Sequence, residues 1–466
     1  MASPRPNLVF VFPDEYRRQA FGFMNADPVL TPNLDRFAAE SLVLTHAVSN
    51  RPLCSPFRAM LFTGKYPHAN GVLENCNSNT RKHGNYLRET ERCLSDVLHD
   101  AGYSLGYVGK WHLDAPVPEN YRYTEGPRRD GVTWDTYTPP GPRRHGFDFW
   151  HAYGCCDRHL DPHYWVGDAK VDQRIEPREW SVQHETDVAV DYIHNVGGVH
   201  RDTGRPFALF VAHNPPHMPF DEVPERYVRL YDGKTHEDLL NRPNVRLAGQ
   251  GAAAERHVKN YFAAVTGIDD QFGRILKALR DEGLDDDTLV IFSSDHGEMM
   301  GSHGLMHKVV WYDESLLMPF IIRRPGTIAP GRDDLLMSVP DIMPTLLGLM
   351  GLGEEAPPDV EGSDHSAILL GRDAPRPTSA LFLNVLPTNP AGIERGLRTH
   401  RYTFVVQRGE GGDETVLLYD NREDRYQRTS VAAERPEVVA DLAREMEAWL
   451  RRTNDPWLAA GAGAGG

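Results

Sequence analysis

The chain has 466 residues, of which 40% are hydrophobic and 25% charged, and its formal net charge is −16. That length exceeds what one hydrophobic core usually supports, so a large domain with a smaller one is expected. The acidic excess excludes nucleic acid and anionic membranes as partners, and an anionic substrate would have to be met by a basic pocket set into an acidic body.

The N-terminal Met1-Ala2-Ser3-Pro4-Arg5-Pro6 runs directly into an apolar strand, Leu8–Phe12. That run is too short for a secretory leader, and no segment is long and apolar enough to span a bilayer, so cytoplasmic residence is the expectation. A second strand candidate is Ser104–Val108, followed by Phe207–Ala212, Leu289–Ser293 and Phe320–Ile322. Helical patterns alternate with them, which predicts an α/β domain with a mostly parallel central sheet flanked by helices. One helix starts at Thr31-Pro32, with threonine as N-cap and proline in the first turn. The clearest runs from about His257 to Glu282, where Val258, Tyr261, Phe262, Val265, Ile268, Phe272, Ile275 and Leu279 recur at three- and four-residue steps before Gly283. Another spans roughly Pro340 to Met350.

The segment 110–185 is irregular and rich in proline, glycine and aromatics, as long loops over a site are. Glu354 to Arg376 reads as a linker. Beyond it, Leu381–Val385, Tyr402–Gln407 and Val416–Tyr419 are strands, the last two joined as a hairpin through Gly409-Glu410-Gly411-Gly412-Asp413. The amphipathic helix Pro436–Leu450 closes a small C-terminal α+β subdomain with an antiparallel sheet. The expected division is therefore 1–370, 371–456 and a disordered Gly/Ala tail, 457–466. The five cysteines (Cys54, Cys76, Cys93, Cys155, Cys156) are odd in number and lack zinc spacing, which suits a reducing compartment.

Chemistry gathers at a few short stretches. Cys54-Ser55-Pro56-Phe57-Arg58 with Thr63-Gly64 forms C-x-P-x-R-x-x-x-x-T-G. On residue type alone, Cys54 is a buried thiol before a proline-started helix, or a nucleophile needing a base or helix N-terminus to lower its pKa. Asp14 and Asp295-His296 each follow a strand, where α/β folds place ligands. Together they can hold a hard divalent cation, although a strand-terminal aspartate is equally a helix N-cap. Lys110 and His112 follow the Ser104–Val108 strand, His217 lies in Pro216-His217-Met218-Pro219, and Lys308 ends His303-Gly304-Leu305-Met306-His307-Lys308.

Taken in order along the chain, these stretches resemble the type I sulfatases of the alkaline phosphatase superfamily. The resemblance implies that a maturation enzyme oxidises Cys54 to formylglycine, whose hydrated aldehyde attacks sulfur. It implies one divalent cation, Ca²⁺ ahead of Mg²⁺ or Mn²⁺, held by Asp14, Glu15, Asp295, His296 and the group derived from Cys54. Arg58 would polarise that group, Lys110 and Lys308 would clamp the sulfate, His217 would protonate the departing alcohol, and His112 would take the proton whose loss expels sulfate. Three positions depart from the family pattern: Phe57 replaces a serine, Glu15 an aspartate, and His307 a small residue.

The implied activity is hydrolysis of an organic sulfate monoester, a small-molecule, aryl or glycan ester. The aromatic- and histidine-rich region 150–165 tilts this toward carbohydrate, with His159, His163 and Trp165 as candidate lining of the leaving-group pocket or as ordinary loop packing. A phosphonate monoester hydrolase or phosphodiesterase of the same superfamily is the alternative, disfavoured by Lys110 and His112. A non-catalytic sulfated-glycan binding protein is the remote one. Cys155-Cys156 reads as a buried pair, Arg81-Lys82-His83 as a solvated charge run, and Asp285-Asp286-Asp287 as a surface turn.

Overall fold

Why the central strands carry almost no polar residues is clear from the sheet they build. A computed structural model of the chain describes residues 5–128, 130–409 and 412–462. In it, β1 (Asn7–Val11), β2 (Leu42–Leu44), β3 (Ser104–Lys110), β4 (Phe149–Tyr153), β5 (Trp165–Val166), β6 (Phe207–Ala212), β7 (Thr288–Ser293), β8 (Phe320–Arg323) and β9 (Gly331–Asp333) form one sheet. The strand order is β5-β4-β3-β6-β1-β7-β8-β2-β9. The centre, β4-β3-β6-β1-β7, is parallel throughout, while β5 and β8 join antiparallel. Leu8, Phe10, Leu105, Phe210 and Ile291 pack into the core on one face, and Val9, Val11, Val108, Val211 and Phe292 into that on the other. Both faces are covered, so the strands read as continuous apolar runs rather than alternating ones.

The long helix Ala254–Asp281 and the helix Ser181–His194 cover the second face; Cys54–Thr63 and Val339–Leu349 lie on the first. Thr31 sits at the N-cap position of Pro32–Ala39 as expected, but its hydroxyl does not cap. It donates to Asp35 and accepts from the Gly22 N–H instead. The stretch read as a linker is packed: the Glu361 carboxylate accepts the Tyr66 N–H at 2.6 Å, and 366–369 is helical.

The second sheet is antiparallel, β10 (Ser379–Leu386), β11 (Asn389–Thr399), β12 (Tyr402–Arg408) and β13 (Glu414–Asp420) in sequential order. β12 and β13 pair as the expected hairpin; Glu410 and Gly411 of its turn lie outside the described residues, as do 1–4 and 463–466. The helix Pro436–Arg452 follows. The tail expected to be disordered from 457 instead begins a helix, Trp457–Ala462. Trp457 is buried and lies beneath the guanidinium groups of Arg395 and Arg408, which gives the segment an anchor that its glycines and alanines lack. The small sheet also braces the approach to Cys54. The Leu383 N–H donates to the Asn50 carbonyl, the Asn50 amide to the Leu381 carbonyl, and Arg51 to the Val385 carbonyl.

Candidate active site

Four neighbouring parallel strands, β3, β6, β1 and β7, end at the same edge of the sheet, and each delivers polar side chains there. Lys110 closes β3, Asn214 and His217 follow β6, Asp14 and Glu15 follow β1, and Asp295 and His296 follow β7. This is the carboxyl edge where parallel sheets hold ligands. Cys54 arrives from the first face as the opening residue of the helix Cys54–Thr63, every residue of which is buried.

The Cys54 Sγ stands 3.4 Å from Asp14 Oδ1 and 3.4 Å from His296 Nε2. Donor atoms of Asp14, Cys54, Asp295 and His296 all lie within 4.8 Å of one another. The N–H groups of Glu15 and His296 both donate to Asp295 Oδ1 at 2.9 Å, leaving Asp295 Oδ2 buried with no hydrogen-bond partner. The His296 Nδ1 faces the Gly297 carbonyl at 3.1 Å, so Nε2 is the nitrogen turned to the carboxylates. Burial and the Lys308 charge push this imidazole down to about 3, keeping it neutral. Burial and the charge of Asp14 push the Asp295 carboxyl well above its ordinary range. Two buried carboxylates, a neutral imidazole and an orphaned oxygen fit a hard divalent cation, whose charge would relieve the repulsion between the acids.

Cations crowd the same carboxylates. Lys110 Nζ donates to Asp14 Oδ2 at 2.7 Å and to Asn214 Oδ1 at 3.0 Å. Arg58 reaches Asp14 at 3.3 Å and Asp295 at 3.8 Å, donates to the Lys110 carbonyl, and lies over the Phe12 ring. Burial would raise the Asp14 carboxyl, but Lys110, His217, Lys308 and His296 override it and hold it well below the usual carboxylate range. Burial, with Asp14 close by, drives the Cys54 thiol the other way, well above its ordinary value. Burial thus favours the thiol over the thiolate, which does not suit a cysteine nucleophile.

Glu15 stands beside that cluster: it forms a second group with Asp14 and His217, donor atoms within 4.8 Å of one another. Its carboxylate meets Lys308 Nζ at 3.0 Å, His217 Nε2 at 3.5 Å and His307 Nδ1 at 3.4 Å. His307, which breaks the family pattern, thus touches Glu15, lies 3.7 Å from Glu298 and stacks on Phe220. Glu298 is the residue that pattern reading missed: its Oε1 accepts the N–H groups of Met300 at 2.7 Å and His307 at 2.8 Å, tying down the loop that carries Lys308. Asn214 was missed too; besides Lys110 it binds the Cys156 carbonyl at 2.7 Å and Asp157 at 3.1 Å. The strand-end rule that singled out Asp14 would have found it.

A cleft of about 220 Å³ opens over this floor, lined by Cys54, Lys110, His112, His217 and Lys308, with Trp134, Arg128 and Met218 at its walls. Both ring nitrogens of His112 are buried without partners, and burial together with Lys110 and Arg58 holds it well below its usual range. His159, His163 and Trp165 do not line the cleft. His159 faces the His217 carbonyl at 2.9 Å, His163 pairs with Asp135 at 2.8 Å, and the Trp165 N–H donates to the Val171 carbonyl. The aromatic wall is Trp134. Cys155 reaches the cleft, and all five cysteines are free. Arg81-Lys82-His83 is an exposed turn, and Asp285 pairs with Arg323 behind the sheet.

Comparison with known proteins gives the following matches. The family described as Sulfatase matches residues 6–352, and the one described as N-sulphoglucosamine sulphohydrolase, C-terminal, matches residues 301–454. The endo-4-O-sulfatase of Bacteroides thetaiotaomicron is 44% identical over 97% of this chain and 93% of its own length. The ulvan-active sulfatase of Formosa agariphila is 32% identical over 96% of this chain and 81% of its own. A solved structure from a study of glycosaminoglycan metabolism by Bacteroides thetaiotaomicron superposes with a TM-score of 0.92 at 41% identity, covering 98% of each chain.

Proposed function

The chain belongs to the sulfatase family, and on that footing we propose that it hydrolyses a sulfate ester carried at O4 of a sugar within a glycan chain. The observation that carries the ester chemistry is the convergence of Lys110 and Lys308 on the carboxylate cluster at the floor of a cleft that also holds Cys54. The likeness to an endo-4-O-sulfatase over nearly the full length supports the position of attack.

Asp14, Asp295 and His296, with Glu15 beside Asp14, would hold the cation, which would supply Lewis-acid polarisation of an oxygen on residue 54. Cys54, oxidised to formylglycine, would supply a hydrated aldehyde in place of a thiol that burial keeps inert.

The rest falls to this chain's own side chains. Arg58, clamped by Asp14, the Lys110 carbonyl and the Phe12 face, holds its guanidinium fixed beside residue 54. Lys110 and Lys308 stand ready for the non-bridging sulfate oxygens, and a water-poor pocket makes each charge count for more. The His217 Nδ1 faces the Met218 carbonyl at 2.7 Å, which leaves Nε2 for the departing alcohol oxygen. Burial and Lys308 press this imidazole down to about 4. An anionic ester bound at Lys308 offsets that charge and raises the imidazole's affinity for the proton it must deliver. His112, neutral and without a partner, lines the same cleft and is the free base.

The test is regiochemical. Matured enzyme is given size-defined glycosaminoglycan oligosaccharides bearing one sulfate at O4 or at O6, in internal or terminal sugars. Release of sulfate from internal O4 esters is expected; equal release from O6, or release from terminal sugars alone, refutes the assignment.

A further inference from the structure

A second concentration of positive charge lies where the two sheets meet, and it shares no lining residue with the catalytic cleft. It is a depression of about 340 Å³ lined by Arg18, Arg242, Arg398, Arg425, His46 and His400, with Asp313 as the carboxylate among its lining residues. The chain as a whole carries a net charge of −16, so this grouping runs against its overall sign.

Two of the four guanidinium groups are already balanced. Arg398 is paired with Asp313 at 2.9 Å and Arg242 with Glu314 at 2.8 Å. Arg18 and Arg425 have no carboxylate partner among the described residues. Arg18 donates from Nη1 to the Thr45 carbonyl at 3.1 Å, while its Nε is buried and bonded to nothing. Arg425 donates to the Tyr426 hydroxyl. The Arg18 Nη2, by contrast, makes no hydrogen bond among the described residues and is not walled in, so an acceptor from outside can reach it. The local potential agrees: burial, with Arg398 and Arg18, pushes His46 down to about 4. The volume suits a small ligand, and arginine forks suit tetrahedral oxyanions.

We propose that this junction pocket is a second anion site, taking a sulfate-type oxyanion on Arg18 and Arg425, either free or carried on a sugar. The inference rests on the charge and geometry of the pocket and stands apart from the 4-O assignment.

Calorimetric titration of the full chain carrying Cys54→Ala, which stops turnover, tests it with two probes: inorganic sulfate and a singly sulfated disaccharide. Two sites per chain are expected for at least one probe. Arg18→Gln with Arg425→Glu should weaken the second site by about tenfold or more, the worth of a lost charge-assisted hydrogen bond. A second site filled equally well by both probes marks the free anion as sufficient; one filled by the disaccharide alone marks a sugar-borne sulfate. One site for both probes, or two sites indifferent to the substitutions, overturns the proposal. If Arg18→Gln fails to fold, Arg425→Glu alone, at an exposed position, must still weaken the second site. In matured enzyme the same Arg425→Glu should leave kcat/KM on a small aryl sulfate unchanged, which separates this pocket from the cleft.

Discussion

The Lys110 ammonium lies 2.7 Å from Asp14 Oδ2, both groups fully buried, at the ends of strands separated by β6 alone. The pair ties the anion-binding side of the cleft to the carboxylate cluster. Burial works against the Lys110 charge, but Asp14 and its neighbours raise it above its usual range, so it stays cationic at any working pH. Lys110→Met should therefore lower kcat/KM by about 10²–10³, the usual cost of removing one fixed charge from a transition state. Steady-state kinetics on a small sulfate ester measures this, and a loss confined to KM would speak against the role.

Cys54 carries the strictest prediction. The peptide spanning it, from protein made alongside a maturation enzyme, should have lost the thiol mass and gained that of an aldehyde. Cys54→Ala should leave no measurable turnover while the fold, read by thermal unfolding, persists.

Glu298 acts through Lys308 rather than on substrate. Its Oε1 accepts two backbone N–H groups of the loop 299–308. Glu298→Ala leaves both donors bare and should cost about 2 kcal/mol of stability or more, with kcat falling as Lys308 loses its placement. Glu298→Gln retains an acceptor oxygen and should recover most of the activity. Failure of the glutamine to rescue would point to a role for the charge itself.

Removal of the cation should be visible without any substrate. With Asp14 and Asp295 facing each other, a chelator should lower Tm and re-added Ca²⁺ should restore it, because an ion bound to the folded state alone stabilises by mass action. Asp295→Asn should blunt that response. A Tm indifferent to chelator would argue against a cation at these residues.

The Glu314–Arg242 pair sets part of the acid limb of stability. Burial opposes the Glu314 carboxylate, but Arg242 and Asn244 bring it from 4.5 down to about 2. A folded pKa below the unfolded one contributes stability that is complete above pH 4.5 and is lost as pH falls toward 2. The net shift corresponds to about 3 kcal/mol of pH-linked stability, to which Arg242 and Asn244 both contribute. Glu314→Gln should flatten the dependence of unfolding free energy on pH across that window, as denaturant titrations at successive pH values would show.

Legibility in the sequence followed burial. Strands β1, β3, β6 and β7 were legible because both faces of a parallel sheet exclude water, leaving apolar runs with a polar residue at each end. β11 was not: its Glu394, Arg395 and Arg398 are buried only because Asn384, Asp455 and Asp313 meet them, partners distant in sequence or on another strand. The helix Cys54–Thr63 is buried on all sides and so lacks the one-sided pattern that marks a surface helix.

The sequence by itself determined the chemistry available here: the residues at the ends of β1, β3, β6 and β7 and the signature around Cys54 are written in it locally. Only the tertiary structure decided how they are used. It paired Glu15 with Lys308 and His217 beside Asp14, set Glu298 beneath the loop that carries that lysine, moved His163 and Trp165 off the cleft, and put Trp134 on its wall. The reason is physical. Strand ends converge because backbone hydrogen bonding aligns them, and that periodicity is written locally. Which way a side chain turns at the edge depends on charges and donors brought by segments far apart in the chain, and those meet only in the folded protein.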